Sequence, residues 1–219
     1  MSKNRRTRTK DNSATWWIVG LIAVMVVLAL ITLNGLPAVT RDRALNAGTS
    51  QGAADAPVVL EEYGDFQCPA CALFARQTLG QIEEKYVSTG QVRIDYHHFA
   101  FIGEESIRAA EAAECAGEQN AFWQYYDTLY NSQAGENVGA FRDERLIQFA
   151  SGLNLDTTAF QQCMTDRRYL SKIEADTGEG RTRGVSSTPT FFINGQKVVG
   201  AISMAEFEAR IATLLDAAK

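Results

Sequence analysis

With 219 residues, 46% of them hydrophobic, the chain can build one ordinary domain around a packed core. Four cysteines are too few for a disulfide-built scaffold, and a net charge of −5 argues against a nucleic-acid partner. That charge is split: residues 1–15 hold Lys3, Arg5, Arg6, Arg8 and Lys10 against Asp11, so a net +4 stands ahead of −9 in the rest of the chain.

The first element is apolar. Trp16 to Leu33 contains no charge. Eighteen helical residues span about 27 Å, close to the thickness of bilayer hydrocarbon. Trp16 and Trp17 fall where an interfacial aromatic belt falls. The basic flank precedes the span, so the positive-inside rule leaves residues 1–15 in the cytoplasm and everything after Leu33 outside. A cleaved signal peptide has the same polarity, but its apolar region is shorter and a small-x-small site follows it. Here Asn34-Gly35-Leu36-Pro37 follows, so 16–33 reads as an uncleaved transmembrane signal anchor. Residues 34–51 are rich in Ala, Gly, Thr and Ser, and read as a tether. The catalytic domain is expected at 52–219, on the extracytoplasmic side of the cell membrane.

Val58 to Tyr63 reads as a buried strand, interrupted by Glu61 and Glu62. Glu62 stands six residues before Cys68 and could lie beneath it; it could equally be a surface carboxylate. Cys68-Pro69-Ala70-Cys71 follows, and then a helical pattern with Ala75, Leu79, Ile82 and Tyr86 on one face. The cysteine pair therefore sits at a strand-to-helix junction. Pro69 suits the first helical position, which makes Cys68 the N-cap, facing unpaired N–H groups and the positive end of the helix dipole. Both favour thiolate, and thiols so placed have pKa values of roughly 3.5–7.5. Cys71 lies one turn further in and should be shielded. One reactive sulfur beside one shielded sulfur suits thiol–disulfide exchange. A zinc site would need two more ligands at matching spacing, and Cys115 and Cys163 stand far apart. A purely structural disulfide across so short a loop would constrain little. No metal or cofactor is implied.

Gln91 to Phe99 alternates, with Val92, Ile94, Tyr96 and His98 on one face. Strand, helix and strand over about 40 residues make a βαβ unit with parallel strands. His98 on the apolar face reads as packed rather than catalytic. From Glu104 to about Arg183 the pattern is helical, with Phe122, Trp123, Tyr126, Leu129 and Tyr130 forming an aromatic face that reads as core. One helix is expected to close at Gly152, and another to run from near Arg167 to Arg183. After Gly184, Asn194-Gly195 between apolar runs marks a hairpin. Ser203-Met204-Ala205-Glu206 is a capping box opening a last helix, with Phe207, Ile211, Leu214 and Leu215 inward.

Asp65-Phe66-Gln67-Cys68-Pro69-Ala70-Cys71, the long helical insert, and Ser187-Thr188-Pro189-Thr190-Phe191-Phe192-Ile193-Asn194-Gly195 together resemble a DsbA-like thiol–disulfide oxidoreductase of the thioredoxin superfamily. The resemblance runs from about Gly52 to the C-terminus. It implies a thioredoxin-like α/β fold with an inserted helical subdomain, here preceded by one transmembrane helix. Cys68 resembles the attacking cysteine and Cys71 the resolving one. Pro189 resembles a cis-proline facing the pair, Thr188 the residue whose backbone pairs with the substrate chain, and Glu62 the buried acid that handles the proton of the inner cysteine. One position departs: strong oxidants of the family often carry histidine where Ala70 stands.

The function expected is oxidation of secreted or membrane proteins through Cys68–Cys71. The partners would be reduced or misoxidised clients and a membrane, quinone-linked re-oxidase. A reductase or isomerase of the same fold, for example one serving cytochrome maturation, is the nearest alternative. A tethered chaperone or binding module with a merely structural disulfide is the other. Cys115 and Cys163 fall on apolar helix faces outside the cytoplasm and are expected to pair, the alternative being two buried free thiols.

Overall fold

The computed structural model describes residues 48–218. The basic segment 1–15, the expected anchor 16–33 and most of the expected tether 34–51 lie outside the described residues. Among the described residues no helix is long and apolar enough to cross a membrane.

Five strands form one sheet in the order β1-β3-β2-β4-β5. They are β1 (Ser50–Gln51), β2 (Val58–Gly64), β3 (Val92–His98), β4 (Thr190–Ile193) and β5 (Gln196–Val199). Strands β2 and β3 run parallel, joined by helix α1 over 69–87. The remaining pairings are antiparallel. The tether ends earlier than its composition suggests, because Ser50 and Gln51 pair with Asp95 and Ile94 at the sheet edge. Two residues are too short for a period-2 signal.

Helix α1 is not uniform. An α-helical start, Pro69–Phe74, passes through a π segment, Ala75–Leu79, an α turn, Gly80–Ile82, and a second π segment, Glu83–Val87. The face Ala75, Leu79, Ile82 and Tyr86 is nonetheless buried throughout. Nothing in the sequence marks the π segments.

Five helices make up the insert between β3 and β4: α2 (Glu104–Gly117), α3 (Phe122–Asn131), α4 (Asp143–Gly152), α5 (Thr157–Thr165) and α6 (Leu170–Thr182). Gly152 is the last helical residue of α4 and not its stop; the left-handed residue there is Asn154, with φ 58°. Helix α6 starts three residues later than the pattern from Arg167 suggests. Arg167 itself takes φ 49°, and its guanidinium reaches back to the buried Glu111 carboxylate at 2.9 and 3.0 Å. Helix α7 (Met204–Ala217) closes the chain, with Ser203 as N-cap accepting from Glu206 N–H. Phe207 and Ile211 are buried, while Leu214 and Leu215 are only partly covered.

Strand alternation decides what faces the site. Val58, Leu60 and Glu62 point to the main core, with Val92, Ile94, Tyr96 and His98 from β3. Glu61, Tyr63 and His97 point to the opposite face, where Tyr63 packs with Phe99, Val185 and Phe192. Gly180 lets α6 approach that face: a Cβ there would come within 2.8 Å of Phe99 and 3.0 Å of Tyr63. The Asn194-Gly195 turn, both residues at positive φ, joins β4 to β5. Asn194 also accepts from Val59 N–H at 2.7 Å, fixing the hairpin to β2.

Cys115 of α2 and Cys163 of α5 are joined by a disulfide across 48 residues. In the chain-entropy treatment such a loop closure contributes about 4 kcal/mol. A Cys115→Ala/Cys163→Ala variant should lose up to that amount in urea unfolding, measured with Cys68 and Cys71 held oxidised. Its Cys68 alkylation rate should be unchanged, since the bond ties α2 to α5 and neither helix carries the 68–71 turn.

Candidate active site

The 68–71 turn sits at the carboxyl end of β2, at the start of α1. Cys68 is the N-cap residue in extended conformation (φ −71°, ψ 120°), and Pro69 supplies the fixed φ of the first turn. Both cysteines are free thiols here. Cys68 is 7% exposed and Cys71 is fully buried, so only the first sulfur can be approached from outside.

The two sulfurs titrate in opposite directions. The Cys68 thiol is lowered to about 6. The largest cause is a hydrogen bond from the Cys71 side chain; burial opposes it, and the Thr188 side chain and the backbone N–H groups of Cys71 and Ala70 add to it. Cys71 is pushed well above the ordinary thiol value, first by burial, then by its bond to Cys68 and by the negative charges of Cys68 and Glu62. Proton and charge are thus divided: Cys71 keeps the proton and donates it toward the Cys68 thiolate.

The loop before β4 closes over the pair. The Thr188–Pro189 peptide is cis, and the Cys68 thiol donates to the Thr188 carbonyl at 3.2 Å. The Thr188 hydroxyl is buried and has no hydrogen-bond partner while Cys68 is a thiol. It finds an acceptor in the thiolate, which it favours.

Beneath the pair lies Glu62, fully buried. The surface alternative for this residue does not hold. Its neighbour Glu61, on the other face, is the carboxylate that finds a cation: Arg183 grips it at 2.6 and 2.9 Å. Tyr126 donates its hydroxyl to Glu62 at 3.1 and 3.4 Å. Neither histidine is free for catalysis. His98 is buried, with Nε2 2.8 Å from Glu114 Oε1, and His97 stacks on Tyr63 with ring centroids 4.8 Å apart.

Sequence reasoning gave no role to the polar frame that holds the turn. Asp65 is buried, and its carboxylate accepts from Gln67 N–H (2.8 Å), the Ser106 hydroxyl (2.6 Å), Phe101 N–H (3.0 Å) and Ile102 N–H (3.2 Å). Gln67 accepts from Asn137 N–H at 2.6 Å and donates to Ser106 at 2.9 Å. Gln133 donates to the carbonyls of Phe66 (2.7 Å) and Cys68 (3.1 Å). Every one of these links except Asp65 to Gln67 spans more than 30 residues, so no local spacing announces them. Among the described residues no group of three or more His, Cys, Asp or Glu is arranged to hold a metal ion.

Several known proteins are similar to this chain over part or most of their own length. A family model described as Thioredoxin matches residues 45–213. Na(+)/H(+) antiporter NhaA 1 of Salinispora arenicola is 35% identical over 74% of this chain, but the chain spans only 24% of that protein's length. Probable disulfide bond formation protein D of Bacillus anthracis is 28% identical over 81% of this chain and 86% of its own. In structure, oxidised BdbD from Bacillus subtilis superposes with a TM-score of 0.72 at 22% identity, covering 77% of this chain and 92% of that one.

Two outcomes are expected from the charge division. In the reduced protein, ultraviolet thiolate absorbance should titrate with a midpoint near 6. Cys71→Ala removes the largest favourable cause and should raise the midpoint by roughly one unit; Thr188→Val should raise it by less.

Because the folded value is depressed, the ionised Cys68 stabilises the reduced form above the ordinary thiol range. That contribution is lost as pH falls through about 6. Between pH 8 and pH 5 the reduced form should therefore lose roughly 2 to 3 kcal/mol relative to the oxidised form, in which neither sulfur titrates. Parallel urea titrations of the two forms measure the difference.

Proposed function

The chain belongs to the thioredoxin family, and on that footing we propose that it is an extracytoplasmic protein thiol–disulfide oxidoreductase that introduces disulfides into secreted or membrane proteins. The observation that carries this reading is the opposition of the two sulfurs: an approachable Cys68 lowered to about 6 beside a buried Cys71 raised well above its ordinary value. A merely structural disulfide, as in a tethered binding module, has no use for that asymmetry. The likeness to disulfide bond formation protein D, over most of both chains, supports the same chemistry.

The reaction starts from the Cys68–Cys71 disulfide. A client thiolate attacks Cys68 Sγ, the bond to Cys71 breaks, and Cys71 leaves as a thiolate. Glu62, buried on the same side of the sheet, returns a proton to it. The client and Cys68 are then joined as a mixed disulfide. A second client thiolate attacks the client sulfur of that bond and expels Cys68, whose low pKa makes it a good leaving group at neutral pH. The client has lost two electrons and the enzyme has gained them. The Thr188 backbone, beside Cys68 at the cis peptide, is the edge against which an extended client would pair.

The 16–33 segment supplies the anchor in this reading, with residues 1–15 in the cytoplasm and the domain outside. A membrane, quinone-linked partner returns the pair to the disulfide. The chain spans about a quarter of the antiporter relative's length. A reductase or isomerase shares every residue named, and Ala70 in place of histidine is the feature that favours it.

Equilibration of the full-length chain with glutathione separates the directions. A potential near about −120 mV marks an oxidant and one near about −270 mV a reductant. Trapping tests the roles of the sulfurs. Cys71→Ala should accumulate clients joined to Cys68, visible as adducts on non-reducing gels, and Cys68→Ala should accumulate few or none. Equal trapping by the two variants would reverse or void the assignment.

A further inference from the structure

Glu62 is a carboxylate with no exposed surface, on the core face of β2. A charged carboxylate in such a place needs donors aimed at it. One such donor is the hydroxyl of Tyr126, 3.1 Å from one oxygen and 3.4 Å from the other. Tyr126 is also fully buried, and it comes from α3, in the helical insert.

Its ring has little freedom. Tyr130 meets it edge-on at 4.7 Å, Tyr96 at 5.3 Å and Phe66 at 5.8 Å, and Trp123 packs at 5.2 Å. The neighbouring hydroxyls have other work. Those of Tyr96 and Tyr130 lie 3.3 Å from each other, and Tyr130 also donates to the Asp65 carbonyl at 3.4 Å. The aromatic wall thus fixes one hydroxyl on the acid below Cys71.

We propose that Tyr126 is a positioning residue that holds the Glu62 carboxylate, in its ionised form, for proton exchange with the Cys71 sulfur. The inference rests on Cys68–Cys71 being the redox pair. A hydrogen bond from a neutral hydroxyl is worth most when the acceptor is charged. Tyr126 therefore favours the carboxylate that accepts the Cys71 proton over the acid that has received it. The insert contributes more than shape: it supplies the group that sets the strength of the buried acid.

The test follows two bursts of colour. Reduced full-length chain is mixed with 5,5′-dithiobis(2-nitrobenzoate). Cys68 thiolate attacks the aromatic disulfide, forms a mixed disulfide and releases one aromatic thiolate. Cys71 then passes its proton to Glu62, its sulfur attacks Cys68, and the second aromatic thiolate leaves. The second burst reports Cys71, and its dependence on pH reports the acid.

Tyr126→Phe keeps the ring. It should leave the first burst unchanged, which certifies the fold in the same trace. It should move the pH profile of the second burst upward by about one unit, making it roughly tenfold slower on the acid limb. In a Glu62→Gln background the same change should alter neither burst. A second-burst profile that superposes on wild type overturns the inference. So does an equal shift in the Glu62→Gln background, since Tyr126 would then act through something else. A wild-type chain that gives only one burst overturns the redox pair itself, and the inference with it.

Discussion

A single hydrogen bond, from the Cys71 thiol to the Cys68 sulfur, organises the chemistry of this molecule. It exists because the two sulfurs occupy unlike media: one at a helix N-terminus under a thin loop, one inside the apolar core. Neither placement alone would serve. A buried sulfur without an outer partner could not be reached, and an exposed pair would share its charge evenly. The fold creates the difference by starting α1 just after β2 ends, so that one turn of helix separates the slightly exposed Cys68 from the fully buried Cys71. Everything else at the site either protects this contrast or makes use of it.

Protection comes from polar groups that are themselves out of water. Asp65 accepts four hydrogen bonds, and three of them come from beyond β3. Gln67 and Gln133 take up the remaining freedom of the turn. A buried carboxylate so fully satisfied is rigid, because moving any one donor leaves charge unpaired. These groups together hold the reactive sulfur in one place.

Much of this was legible from residue order. Period-2 alternation assigned Val92, Ile94, Tyr96 and His98 to one face. Pro69 fixed the helix start, Asn194-Gly195 the hairpin, and Ser203 to Glu206 the last helix. Alternation alone could not say which face of β2 was the wet one. Glu61 and Glu62 were therefore equivalent in the sequence until Arg183, more than 120 residues away, took one of them. The same limit hid Asp65, Ser106 and Asn137. Their meaning lies in contacts across 36 to 70 residues, and a composition of Asp, Ser and Asn reads as turn chemistry until the fold brings them together. The edge strand Ser50–Gln51 was too short to have a period, and the π segments of α1 leave the buried face unchanged, so neither could leave a pattern.

The Asp65 frame also bears on how this architecture can be cut and recombined. Helices α2 to α6 look like a cassette placed between the two halves of a smaller fold, and a designer might delete them and join His98 to Thr190 by a short turn. The cut would strand the carboxylate, whose donors at Phe101, Ile102 and Ser106 would go with the cassette. It would also strip Glu62 of the hydroxyl that α3 brings to it. The residue at 65 and the identity of the insert are one choice made twice. A minimal version of this domain, or a chimaera with a relative's helices, has to redesign the loop before Cys68 together with the segment it removes.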